Sequence, residues 1–195
     1  MIQYEQKKWL TEQIAVQCAP LLTGLKPSNL LIIPKNMGRE VKGVLQKTDF
    51  SNYLLLEYDG KQVYLLYRAK ELIVYLTEKA VQELLKELGY EGRELINLLQ
   101  HVSEKYTAHK KKKTPFPHEL GLLLGYPVVD VRGFIEHSGK NYLVSGYWKV
   151  YGNAGETMRL FAEFGRAKEY AVCMVKKGYS IADISAMYHI TKAYA

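Results

Sequence analysis

Tyr53-Leu54-Leu55-Leu56-Glu57-Tyr58-Asp59-Gly60 and, after Lys61 and Gln62, Val63-Tyr64-Leu65-Leu66-Tyr67 decide the fold class. Asp-Gly supplies the left-handed backbone that a tight hairpin turn demands, and the flanking runs are rich in residues that suit a pleated surface. The pair reads as a β-hairpin. Both runs are apolar at consecutive positions, which predicts a sheet covered on both faces. Helical patterns surround it. Leu10, Ile14 and Cys18 recur at i, i+4 and i+8 and predict a helix over residues 4–18, bounded by Pro20. Residues 30–33, ended by Pro34, read as a buried strand, with Asn36 as the cap of a short helix reaching Leu45. Residues 71–88 are helical in pattern with Gly89 as the stop, and residues 93–106 place Leu95, Leu98, Leu99 and Val102 on one side.

Farther on, Thr114-Pro115-Phe116-Pro117 opens a short helix holding His118, Glu119 and residues 120–124, and Gly125 ends it. Pro127 starts another helix through Glu136, and Ser138-Gly139 makes a turn. Residues 142–151 read as one strand, with Tyr142, Val144, Gly146, Trp148 and Val150 on one face and Leu143, Ser145, Tyr147, Lys149 and Tyr151 on the other. Asn153 with Glu156 opens a long helix ended by Gly178, and Ser180 with Asp183 caps a last one. The expected fold class is α/β of the α+β type. A small mixed or antiparallel sheet, containing both the 53–67 hairpin and the 142–151 strand, is packed by several helices, with a helical C-terminus. One domain over residues 1–195 is expected, and the lysine-rich loop 107–115 is the best place for an internal boundary.

The 195 residues are 48% hydrophobic and 24% charged, enough to bury a core without disulfides or metals. Cys18 and Cys173 are far apart, and there is no CxxC pair and no His/Cys cluster. That argues against a structural zinc site and reads both cysteines as inert core thiols. The first residues lack the apolar segment of a signal peptide, and no apolar run approaches the ~20 residues that span a bilayer, so a cytoplasmic protein is expected. The net charge of +7 is concentrated in Lys110, Lys111, Lys112 and Lys113, beside His109. This run is a nucleic-acid candidate, although the bland reading is a solvated loop, because no aromatics or arginines are interleaved with it. Sixteen tyrosines suit half-buried sheet faces or a contact surface.

Five stretches carry a resemblance: Phe116-Pro117-His118-Glu119-Leu120-Gly121, Leu124-Gly125-Tyr126-Pro127, Asp130-Val131-Arg132-Gly133-Phe134-Ile135, Gly139-Lys140-Asn141-Tyr142 and Gly146-Tyr147-Trp148-Lys149-Val150-Tyr151. With the earlier Cys18-Ala19-Pro20 and Gly24-Leu25-Lys26-Pro27-Ser28-Asn29-Leu30, they cover most of the chain. The chain resembles the bacterial family labelled "domain of unknown function 3793", met mostly in anaerobic Gram-positive bacteria. The resemblance implies no established activity and no known cofactor. It implies a redox or metal context, through neighbouring flavodoxin and iron-uptake genes.

The leading expectation is a small-molecule-binding or accessory protein, with a small anionic molecule or a protein partner as the ligand. Its ligand-binding candidates are His118, Glu119, Arg132, Tyr147, Lys149 and Tyr151, polar residues set among Gly and Pro. A His in the first turn of a helix is held neutral by the macrodipole and can act as base or ligand; a His that ties down a loop is the plainer reading. Arg132 with Lys149 suits an anion, and a surface salt bridge is the plainer reading. Tyr147 and Tyr151 share a face with Lys149, placing two phenols around an ammonium. Trp148 reads as core. No GxGxxG, Walker-type loop or GxSxG occurs. The first alternative is a nucleic-acid-associated protein using the lysine loop and the C-terminal helix. There Gly178-Tyr179-Ser180-Ile181 followed by Ile184, Ala186, Tyr188, Ile190 and Thr191 resembles the first half of a helix-turn-helix, with too few residues following to read a groove. The second alternative is a partner-binding scaffold without chemistry.

Overall fold

The computed structural model describes residues 2–90, 92 and 94–193, and among them the side chains of residues 4–90, 92 and 94–187. The chain forms two compact units: Met1–Ala69 with Phe164–Ala195, and Lys70–Glu163. The lysine run lies inside the second.

The first unit is built on an antiparallel sheet of three strands, β1 (Ser28–Pro34), β2 (Phe50–Tyr58) and β3 (Lys61–Arg68), in the order β1-β3-β2. The hairpin is where the sequence puts it. Asp59 and Gly60 take φ of 49° and 69°, the paired left-handed conformation of its turn. The expectation of a sheet covered on both faces holds only for the central strand. Val63, Tyr64, Leu65 and Leu66 of β3 are all buried, whereas β1 leaves Ile32 46% exposed and β2 leaves Leu54 39% exposed. A bulge between Leu54 and Leu56 shifts the register of β2, and Leu55 and Leu56 are both buried there.

One sheet face packs on α1 (Ile2–Gln17), α2 (Ala19–Leu22) and α3 (Gly38–Val44). Leu10, Ile14 and Cys18, the expected stripe, are fully buried against Leu31, Ile33, Tyr64 and Leu66. Asn36 is not a helix cap. It sits in a 3-10 turn, Lys35–Met37, and α3 begins after it with no side-chain cap. The end of α1 also finishes the sheet. The Gln17 side-chain amide accepts from Ile32 N at 2.8 Å and donates to Ile32 O at 3.1 Å, and the Cys18 thiol donates to Leu30 O at 3.6 Å. Arg68 ties the unit together from the inside, where its guanidinium donates to Leu21 O, to Ser185 Oγ at 2.8 Å and to Asp49 Oδ2 at 2.9 Å. Helices α9 (Ala154–Lys176) and α10 (Ile181–Ala193) contribute Ala167, Ala171, Ile181 and Ile184 to this core. Only the Ser180–Asp183 pair forms the expected reciprocal cap; Asn153 reaches the Glu156 side chain and no backbone amide of the pair. Ser180 N donates to Asp183 Oδ2 at 2.9 Å while Asp183 N donates back to Ser180 Oγ at 3.2 Å. α10 is a single helix, and the side chains of Tyr188, Ile190 and Thr191, which carried the helix-turn-helix resemblance, lie outside the described residues.

The second unit is mostly helical: α4 (Ala69–Leu76), α5 (Lys79–Glu87), α6 (Leu95–Lys110), α7 (Leu120–Leu123) and α8 (Val128–Glu136). The single helix expected over 71–88 is broken. Thr77 Oγ1 donates to Val74 O at 2.8 Å, Gln82 Nε2 takes the Leu76 carbonyl, and Glu78 turns extended with ψ of 137°. The helix expected from Arg93 starts later, and Arg93 itself lies outside the described residues. It also runs farther, so His109 and Lys110 belong to its last turn, where cations are favoured by the helix dipole.

The largest correction concerns residues 142–151. They form a tight hairpin of two short strands, β4 (Val144–Ser145) and β5 (Lys149–Val150), in a sheet of their own. Gly146 N donates to Trp148 O at 3.0 Å and closes the turn. No helix among the described residues is long and apolar enough to cross a membrane.

Lys26 makes the stability of the first unit depend on pH. It is only 7% exposed, and burial lowers its pKa from 10.5 to about 8. Burial also pushes the Cys18 thiol from 9.0 up to about 12. Between about pH 8 and 10.5 the unfolded chain binds the lysine proton that the folded chain has lost, so stability rises with pH there. Between about 9 and 12 the folded thiol keeps a proton that the unfolded one loses, which reverses the trend. Urea unfolding should therefore show stability climbing from pH 7 to 9 and falling above 10.5. Lys26→Met should abolish the climb and stabilise the protein at pH 7 by about 3 kcal/mol. A wild-type profile flat from pH 7 to 9 would contradict the assignment.

Candidate functional site

The β4–β5 hairpin is fastened by a carboxylate remote in sequence. Asp130, in the first turn of α8 and 2% exposed, accepts from Trp148 Nε1 at 2.7 Å, Tyr151 N at 2.7 Å and Gly152 N at 3.1 Å. One buried carboxylate thus accepts from an indole and two backbone amides at once. Trp148 stacks on Tyr126 at 4.6 Å and stands edge-on to Phe161 at 4.6 Å. Two glycines make room for this packing. A Cβ on Gly133 would lie 2.4 Å from Tyr151 Cγ, and one on Gly146 would lie 2.4 Å from Phe161 Cε2. The Asp130-Val131-Arg132-Gly133 and Gly146-Tyr147-Trp148 motifs therefore specify a local lock.

That lock presents Lys149 beside two rings, but not those expected. Its ammonium lies 4.9 Å from the Tyr142 ring and 5.7 Å from the Phe134 ring, and donates to Gly139 O at 2.7 Å. Tyr147 packs on Phe161 instead, and Tyr151 stacks on His137. The two-phenol cage around Lys149 fails because β4–β5 is a hairpin, which ends the alternation of a single strand. From Phe134 the rings continue. His118 lies 5.5 Å from Phe134 and 5.9 Å from Phe116, and Phe116 stands edge-on to Tyr106 at 5.6 Å and to His109 at 5.5 Å. Lys110 sits 5.8 Å from the Tyr106 ring, next to the turn that carries Lys111, Lys112 and Lys113. No carboxylate pairs with those three lysines among the described residues.

His118 and Lys149 thus contact one ring, Phe134. The other candidates go elsewhere. Glu119 is buried, accepting from the Tyr90 hydroxyl and from Lys105 Nζ at 3.1 Å. Arg132 makes a bidentate pair with exposed Glu87 at 2.7 and 3.0 Å, the plainer of its two readings. His118 does not lie in a helix; it precedes α7, which begins at Leu120. Its pKa is lowered chiefly by burial, with Glu119 opposing and His109 assisting, and the ring is uncharged at neutral pH. Cys18 is core, but Cys173 is exposed on α9, contrary to expectation. Among the described residues no group of three or more His, Cys, Asp or Glu side chains is placed to share a metal ion. Sequence reasoning missed Tyr106, Phe116, Phe134 and Tyr142, since they come from separate elements and share no spacing.

The family model described as "Protein of unknown function (DUF3793)" matches residues 14–185, and the chain belongs to that family. No curated protein and no solved structure matches the chain.

The lock can be tested against the surface pair. Asp130→Ala should cost about 3–5 kcal/mol in urea unfolding, because it strands the buried Trp148 indole and two half-buried amides, and should lose the near-ultraviolet signal of Trp148. Arg132→Ala should move the midpoint little. Equal effects of the two substitutions would contradict the assignment.

Proposed function

We propose that this protein binds single-stranded nucleic acid along the strip of rings between the lysine turn and Lys149. The supporting observation is the succession of cations and rings: Lys110 with Tyr106, then Phe116, His118 and Phe134, then Lys149 with Tyr142. Ammonium groups follow a phosphate backbone, while ring faces accept stacked bases of any identity. The aromatics that the lysine run lacks in sequence are supplied by its neighbours in space. Phe116 and Tyr142 are exposed, and uncharged His118 adds a flat ring between them. The three unpaired lysines favour a polyanion over a single small anion, since each neutralised phosphate releases a counterion.

A small anionic ligand at His118 and Lys149, in a metal or redox setting, is the rival reading. It is less well supported, because Arg132, the second cation expected there, is held by Glu87. The two readings separate by chain length. Fluorescence anisotropy with a labelled oligo-dT of about 20 nucleotides should show binding at about 50 mM salt. The log–log salt slope should be about −3.5, from Lys110, Lys111, Lys112, Lys113 and Lys149 at roughly −0.7 each. Replacing Lys111, Lys112 and Lys113 together by Gln should bring that slope to about −1.4, and Phe116→Ala should weaken binding roughly tenfold without altering it. No binding at low salt, a salt-independent affinity, or equal competition by mononucleotide would defeat the proposal.

A further inference from the structure

We infer a second, separate binding site in the first unit, for a small molecule carrying a phosphate or carboxylate group. A cleft of about 890 Å³ opens between the 3-10 turn before α3 and the β2–β3 turn, a volume within the roughly 300–1,000 Å³ of small-molecule sites. Two of its wall residues are glycines, Gly38 and Gly60. Gly60 holds the left-handed turn conformation. The Gln62 side chain lies close over Gly38, where a Cβ would stand 1.9 Å from its Oε1. Lys35 N donates to Gly60 O at 2.9 Å and fixes the two turns to each other.

The lining is polar and cationic, and among the described residues it includes no acid: Lys35, Asn36, Arg39, Gln62 and Tyr64 surround the two glycines. The cations are not equivalent. Lys35 is paired with Glu57, whose other oxygen accepts from Gln62 Nε2 at 3.0 Å, and these two contacts hold the Glu57 carboxyl below its ordinary pKa. Glu57 is therefore occupied. Glu40, the neighbour of Arg39, lies instead 4.0 Å from Lys7. Arg39 has no carboxylate partner among the described residues and keeps its guanidinium fork free for an oxyanion. Tyr64, its pKa raised by burial and by Glu57, stays protonated and donates to Gln62 Oε1 at 3.0 Å. Its oxygen lone pairs and the Asn36 amide remain for the polar body of the ligand. The cleft is larger than one anion, so the recognised group is the head of a metabolite-sized molecule.

The test is an amide NMR titration of the full chain with inorganic phosphate and, separately, with citrate. Saturable shifts should be confined to residues 35–39 and 60–64. Arg39→Gln, a change at an exposed side chain, should weaken that binding at least about tenfold while leaving the free spectrum elsewhere intact. Lys112→Gln should leave it unchanged. A response to phosphate alone assigns the site to phosphorylated molecules, and a response to citrate alone to carboxylates. No saturable shift with either anion, shifts centred on residues 110–118, or wild-type affinity in Arg39→Gln would overturn the inference. Failure here leaves oligonucleotide binding by the second unit untouched, because the two sites share no residue.

Discussion

The Asp130 carboxylate is the constraint on which the second unit depends. A hairpin with two residues in each strand has almost no ladder of its own, and such short pairs are marginal in water. What fixes it is a charge from α8 that takes the Trp148 indole and the amides of Tyr151 and Gly152 together. Once these are set, Trp148 has a single place, between Tyr126 and Phe161, and Lys149 projects toward Phe134 and Tyr142. The candidate surface around Lys149 therefore inherits its geometry from the Asp130 side chain.

The first unit solves the same problem with the opposite charge. Arg68, buried at the end of β3, spreads its donors over α2, α10 and the Asp49 loop, and its guanidinium lies 4.5 Å from the Phe50 ring. A buried ion is costly unless each of its hydrogen-bonding positions is met, and in both units the partners come from elements distant in sequence. Local strands and helices supply the parts, and one satisfied ion in each unit chooses how they meet.

This division decides what could be read from the residues alone. The 53–67 hairpin was legible because its turn is local, with Asp59-Gly60 naming the backbone conformation directly. The Ser180–Asp183 cap and the Leu10-Ile14-Cys18 stripe were legible for the same reason. Residues 142–151 were misread because alternation over ten positions fits one strand as well as a tight hairpin. The deciding residue, Asp130, lies 18 positions before Trp148. The break at Thr77 was hidden because threonine is tolerated in helices and bends the chain only through its own hydroxyl. Of the candidate site, His118 and Lys149 were found as separate residues. That both meet Phe134, and that Phe116 links them to the lysine turn, are facts of tertiary placement.

The Gln17 amide on Ile32 has a further consequence. An edge strand is a template on which another chain can pair, and proteins guard against this in several ways. Here a side chain imitates the missing neighbour, offering one acceptor and one donor to a single residue of β1, while the Cys18 thiol covers the carbonyl two residues before. On the far side, the bulge in β2 interrupts the regular spacing that a fourth strand would need. Each margin of the sheet thus carries a local obstacle to strand exchange, beside the exposed Ile32 on β1 and Leu54 on β2.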